Sequence, residues 1–203
     1  MREFVLKTGM CGVLALVFVF AAPAQDGPQP SGYQPHLGRE VPVAFYYPSS
    51  WTVVDADESV GIVSRPALTE QLGADQPEIR TGEAMLALGV IPAAFVEMMG
   101  ANPRELDSVV EMLFGSMSAE QGEVGSADRE AFDFSAGEVE SILFDAGPRQ
   151  EAGLMLVSRE SEEVIAFGMA YGYRDDLAAY RRELAQVLAT VEFTGSMQDF
   201  YDG

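Results

Sequence analysis

Carboxylates are the side chains in this chain that are most able to take part in catalysis or ligand binding, because other reactive types are scarce. The sequence holds 32 acidic residues but only one His and one Cys. Glu138 and Glu140 lie two residues apart in a predicted strand, so both side chains face the same side of the sheet. Paired carboxylates perform glycoside hydrolysis. With so many acids such pairs also arise by chance, and a solvated sheet face is the favoured interpretation.

Oxygen ligands for calcium are the second possibility. Asp55, Asp57 and Ser59 reproduce the 1-3-5 spacing of an EF-hand loop, but Val60 replaces the required Gly and Pro66 replaces the bidentate Glu. The motif therefore fails. A looser calcium site stays open as an alternative, built from Glu58 or from Glu120, Glu123 and Asp128.

Other reactive groups give weaker signals. A Ser-His-Asp triad would have to recruit His36 from a Pro/Gly-rich segment, and the residues around Ser116 lack the second Gly of a nucleophile elbow. The adjacent pair Met98-Met99 suggests copper, although methionines more often fill gaps in a core. We therefore predict no catalytic residue, no cofactor and no metal ligand, and we do not expect an enzyme.

Aromatic side chains suggest a binding site. Trp51, Tyr47, Tyr171 and Tyr173 are candidates for a groove that takes a peptide or a glycan, with packing in the core as the alternative.

The charge of the chain limits its partners. The formal net charge is −20 at pH 7, which repels phosphate backbones and anionic lipids. We expect an unknown protein or extracellular ligand as partner, no nucleic acid, and a monomer. One Cys and one His exclude most disulfide and zinc frameworks.

The first 24 residues have the pattern of a secretory signal peptide. Arg2 and Lys7 precede the apolar run Cys11–Ala22, and small residues lead to cleavage near Ala24. The apolar run is shorter than the roughly 20 residues that span a bilayer, so we expect cleavage rather than stable membrane insertion. The product would be extracytoplasmic, either secreted or periplasmic. Cleavage would remove the only Lys and the only Cys, which excludes Schiff-base and Cys-nucleophile chemistry.

The rest of the chain divides into three parts. Residues 25–40 are predicted to be a flexible Pro/Gly-rich leader in which His36 is solvated. Residues 41–194 form one predicted domain, and residues 195–203 an acidic tail. Period-two alternation and turn residues predict strands at 41–47, 51–54, 59–64, 85–91, 129–134, 138–144, 153–158 and 164–173.

Three helices complete the predicted domain. Pro66 is placed to open a short helix, and Asn102, Pro103 and Glu105 predict a capped helix that carries an apolar stripe to Met117. Another amphipathic helix follows Asp175. This order predicts an α+β fold, an antiparallel sheet flanked by helices.

The stretch from Phe45 to Trp51 carries an F-x-x-P-x-x-W opening. This opening and the order of elements resemble the PsbP-like proteins, of the PsbP/Mog-type fold. The resemblance implies an α-β-α sandwich over residues 41–194 and a non-catalytic binding or assembly role. The resemblance carries over no functional residue. The plant photosystem II subunit for which the family is named acts through basic contacts, whereas residues 25–203 contain no Lys.

Overall fold

The computed structural model describes residues 29–39, 41–56, 59–71, 78–121, 127–146 and 151–196. The predicted signal peptide and most of the predicted acidic tail lie outside these residues. Within them, no helix is both long and apolar enough to cross a membrane.

The described residues form ten strands, three α-helices and one 3-10 helix. The strands are β1 Tyr33–Leu37, β2 Val43–Pro48, β3 Thr52–Ala56, β4 Ser59–Val63, β5 Ala84–Pro92, β6 Ala127–Phe134, β7 Gly137–Asp145, β8 Glu151–Arg159, β9 Val164–Tyr173 and β10 Glu192–Phe193. The helices are α1 Ala93–Met98, α2 Leu106–Gln121, α3 Arg174–Ala189 and the 3-10 helix Pro66–Gln71.

The strands make two antiparallel sheets. The large sheet has the order β3-β4-β5-β9-β8-β7-β6, and the small sheet has the order β1-β2-β10. Helix α3 packs on one face of the large sheet and also contacts β2, whereas α2 packs on the opposite face over β7 and β8. The predicted α+β class, with helices flanking an antiparallel sheet, is confirmed.

The core is divided by the large sheet because successive side chains of a strand point to opposite faces. In β9, Ala166 and Ala170 join the cluster beneath α3, while Ile165 and Met169 join the cluster beneath α2. The α3 side includes the fully buried Phe45, Leu154, Leu177, Leu184 and Leu188.

Helix α2 begins three residues later than the capping pattern predicts. The side-chain oxygen of Asn102 accepts the backbone N–H of Arg104 at 3.1 Å, and its amide donates to the Glu105 carboxylate at 2.9 Å. These local bonds hold 102–105 in a turn, because an Asn side chain competes with helical hydrogen bonds. The helix therefore starts at Leu106.

The leader prediction is corrected for Tyr33–Leu37, which form β1 along the outer edge of β2. His36 is not a solvated linker residue, because its Nε2 lies 3.0 Å from Oδ1 of Asp55 and its ring lies against Phe45. The prolines hid this strand in the sequence. An edge strand tolerates a residue such as Pro35 that cannot donate a hydrogen bond.

Candidate binding surface

One stretch of the large sheet lies between α2 and the 3-10 helix, which pack on the same face of the sheet. On the face that carries α2, this helix packs over β7 and β8, and the 3-10 helix packs on β3 and β4. The strands between them, β5 and β9, present Ala87, Phe167 and Met169 half-buried and Tyr171 36% exposed. We call the surface formed by Gly61, Ala87, Gly89, Phe167, Met169 and Tyr171 the sheet-face surface.

The floor of this surface is made of small residues. Gly61 pairs with Ala87 between β4 and β5, and Gly89 pairs with Phe167 between β5 and β9. The Phe167 ring lies over Gly89, since a Cβ built on that glycine would be 2.7 Å from the ring carbon Cζ. The missing side chain of Gly89 thus makes room for the aromatic ring of Phe167.

The sheet-face surface carries no charged side chain. Its polar group is the hydroxyl of Tyr171, and burial raises the pKa of this phenol. The phenol therefore stays neutral at physiological pH and can donate a hydrogen bond. The chemistry offered is apolar and aromatic contact with one hydroxyl at the edge, which is the usual composition of a small-molecule or peptide contact surface.

The structure does not bring the four predicted groove residues together. Trp51 is buried and makes an edge contact with Tyr180 of α3, with ring centroids 5.4 Å apart. Tyr47 packs beside Phe45 and His36, in the cluster on the α3 side of the sheet. Tyr171 and Tyr173, by strand alternation, point to the opposite face.

Of the predicted residues, only Tyr171 belongs to the sheet-face surface. Sequence reasoning missed Phe167 and Met169. The signal was present, since large side chains alternate with small ones from Phe167 to Tyr171. Alternation alone does not show which face a helix leaves uncovered.

Glu138 and Glu140 do share a face, as their spacing predicts, and α2 lies nearby. Burial raises the pKa of Glu140, and the charges of Asp107 and Glu138 raise it further, against the opposing charges of two arginines. One of these, Arg129, has its Nη1 2.6 Å from Asp107 Oδ1 and 3.2 Å from Glu111 Oε1. Arg129 therefore joins β6 to α2 through ion pairs with Asp107 and Glu111.

The predicted calcium ligands fall in several places. Asp55 is hydrogen-bonded to His36, and Asp128 accepts a bond from Arg181. Asp57 and Glu58, and the side chains of Glu120 and Glu123, lie outside the described residues. Across the residues that the structure describes, no group of three His, Cys, Asp or Glu side chains could hold a metal ion.

The adjacent methionines are not core residues. Met98 is 74% exposed and Met99 49% exposed. Met85 and Met155, by contrast, are buried.

Comparison with known proteins yields structural neighbours only. No family model matches the chain, and no curated protein matches it. Among solved structures, cyanobacterial PsbP from Synechocystis is similar at 16% identity and a TM-score of 0.45, over 82% of this chain and 95% of that one.

Two further solved structures are similar to this chain. LpqN, involved in cell envelope biogenesis of Mycobacterium tuberculosis, is 11% identical with a TM-score of 0.42, over 80% of this chain and 91% of that one. A protein from Bacteroides thetaiotaomicron is 12% identical with a TM-score of 0.36, over 82% of this chain and 50% of that one.

Proposed function

We propose that this chain is an exported, non-catalytic binding or assembly-accessory protein that receives an apolar or aromatic group on its sheet-face surface. The observation that carries the proposal is the uncharged surface made by Ala87 and the Phe167 ring, which lies over Gly89, with Gly61 and Tyr171 beside them. Adjacent strands hold these side chains, so the surface is preorganised and little ordering entropy is lost on binding.

Export is supported by the signal-peptide pattern of residues 1–24. N-terminal sequencing of the secreted or periplasmic protein tests this part of the proposal. A mature protein that begins near Gln25 supports it, and a retained N-terminus contradicts it.

A methyl-labelled protein tests the binding surface. Indole, a neutral aromatic probe, is titrated into protein carrying 13C-methyl Met and Ala while methyl shifts are recorded. We expect saturable shifts at Ala87 and Met169 and none at Ala185, which is buried on the α3 face of the sheet.

The matched variants are Ala87→Leu, which fills the floor, and Ala131→Leu, at an exposed position of β6. The first should abolish the shift at Met169 and the second should preserve it. Equal titration of both variants would contradict the proposed surface.

A glycan hydrolase is the second candidate, since Glu140 is a carboxyl with a raised pKa beside other carboxylates. Chromogenic glycosides test it. Under our proposal the purified protein does not cleave them, whereas cleavage that disappears in Glu140→Gln would establish the hydrolase instead.

Calcium binding is tested by thermal unfolding with and without calcium at fixed ionic strength. A site with a Kd near 10 μM would add about 2.7 kcal/mol at 1 mM calcium. Such a gain, absent with magnesium, would assign a calcium-binding role to the acidic segments.

A further inference from the structure

Helix α1 carries an exposed apolar patch formed by Phe95, Met98 and Met99. Their side chains are 43%, 74% and 49% exposed, respectively. Residues three and four apart lie on one side of a helix, so Phe95 is a neighbour of both methionines. Single exposed apolar residues are ordinary, but three contiguous large ones mark an interaction site.

The patch is held rigidly by residues that do not belong to it. Ala93 and Val96 are buried, and Val96 lies in the core cluster beneath α2. The backbone N–H of Ala93 donates to the Glu163 carbonyl at 2.7 Å. The buried residues and this hydrogen bond hold α1 against the core, so the exposed residues are not needed to position the helix.

The end of α1 is also fixed. Gly100 has φ +90°, its N–H donates to the Glu97 carbonyl, and the N–H of Ala101 donates to the Val96 carbonyl. These two bonds form a Schellman cap, which requires a residue in the left-handed region at the Gly100 position. The cap turns the chain directly after Met99, which leaves both methionines at the exposed end of the helix.

Acidic residues lie on α1 and in the turn that is hydrogen-bonded to its first residue. Glu97 is exposed on α1 itself, and Glu162 and Glu163 are exposed in the β8–β9 turn that bonds to the start of the helix. Two exposed basic residues are also close in sequence, Arg104 five residues after Met99 and Arg159 four residues before Glu163. The whole chain has a net charge of −20, so a second copy or an anionic membrane would be repelled.

We propose that the α1 patch docks a cationic amphipathic segment of a partner protein, whose apolar face covers Phe95, Met98 and Met99 while its basic residues meet the surrounding glutamates. Flexible thioethers suit this role, because methionine adapts to differently shaped apolar side chains. Opposite charges around an apolar centre accelerate association and select against acidic partners. This inference does not depend on the sheet-face surface.

Fluorescence anisotropy with the full chain tests the proposal. The probe is a labelled 14-residue amphipathic helix of Leu and Lys, and the comparison peptide replaces every Lys by Glu. We expect saturable binding of the Lys peptide that weakens as salt rises, and no binding of the Glu peptide.

Variants locate the binding. Met98→Gln combined with Met99→Gln should weaken the Lys peptide about tenfold or more, as expected for central interface anchors. Leu37→Gln, at an exposed apolar residue of β1, is the matched control and should leave the affinity unchanged. Both sites are exposed, and circular dichroism confirms that each variant is folded.

Any of five results would overturn the proposal. Two concern the Lys peptide: absence of binding, or equal affinity of the methionine variant and the wild type. The third is equal binding of the Glu peptide. The last two are self-association in sedimentation, and binding to anionic phosphatidylglycerol vesicles, when either is lost in the methionine variant, because each would assign the patch to a different occupant.

Discussion

The Phe167 ring covers Gly89 so closely that a Cβ on the glycine would lie 2.7 Å from Cζ of the ring. Gly89→Ala therefore forces the half-buried ring to move. We expect a loss of about 1–3 kcal/mol in the free energy of unfolding, the usual cost of overpacking, together with weaker indole binding.

Gly137→Ala is the control for this substitution, since its nearest non-local atom is 3.6 Å from the added Cβ. Urea unfolding of both variants measures the difference. Equal stabilities would show that Phe167 does not need the space above Gly89.

Gly115 lies inside α2, where an added Cβ meets no atom within 4 Å. Gly115→Ala should stabilise the protein by about 0.5–1 kcal/mol, because alanine loses less backbone entropy in a helix. The same change at Gly100, where φ is +90°, should destabilise by about 1–2 kcal/mol. Thermal unfolding distinguishes the two, and shifts of the same sign would contradict the assigned backbone conformations.

Arg181 is a buried cation, 4% exposed, that joins α3 to the β6–β7 edge of the sheet. Its guanidinium donates to the carboxylate and the carbonyl of Asp128, each at 2.9 Å, and to the hydroxyl of Ser141 at 3.0 Å. Arg181→Met should cost about 2–4 kcal/mol, since partly buried acceptors lose their donors.

Arg182 provides the matched control for Arg181. Its guanidinium is exposed and lies 5.3 Å from the Phe134 ring centroid. Arg182→Met should cost no more than about 1 kcal/mol. Chemical unfolding of both variants tests the contrast, which a similar cost at the two positions would refute.

The pKa of Glu140 is raised, so folding disfavours its ionised form. This penalty is absent below the unfolded-state pKa and develops as pH rises through the folded-state pKa. Glu140→Gln should therefore be more stable than the wild type at pH 7, and the difference should vanish below about pH 4.

Glu162→Gln, at an exposed turn residue, serves as the control and should change stability little at either pH. Urea unfolding at both pH values is the measurement. A Glu140→Gln variant less stable than the wild type at pH 7 would show that its ion-pair contacts outweigh its burial.

Periodicity was enough to predict β2 to β9 and the helices α2 and α3, because their apolar faces are buried against a helix or a sheet. The edge strand β1 was missed because Pro35 interrupts its pattern, and edge strands need fewer donors. Helix α1 was missed because six residues carry too little periodicity to separate them from the preceding strand.

The candidate site was harder to predict than the fold. Tyr171 could be selected as an aromatic residue in a predicted strand. The residues around Trp51 in the sequence, however, do not show that Trp51 packs on the opposite face of the sheet from Tyr171. The exposure of Phe167 and Met169 depends on where α2 ends its coverage of the sheet, which is a relation between distant segments.

The small sheet has a consequence for the order of folding. In β2, Ala44 pairs with Leu37 on one side and with Glu192 on the other, and the N–H of Tyr46 donates to the hydroxyl of Thr190, 144 positions away. Contacts so distant in sequence carry a large loop-closure entropy and form slowly. A chain emerging from the ribosome can pair β1 with β2 early. The other edge of β2 stays open until α3 and β10 have been synthesised, so closure of the small sheet is a late step.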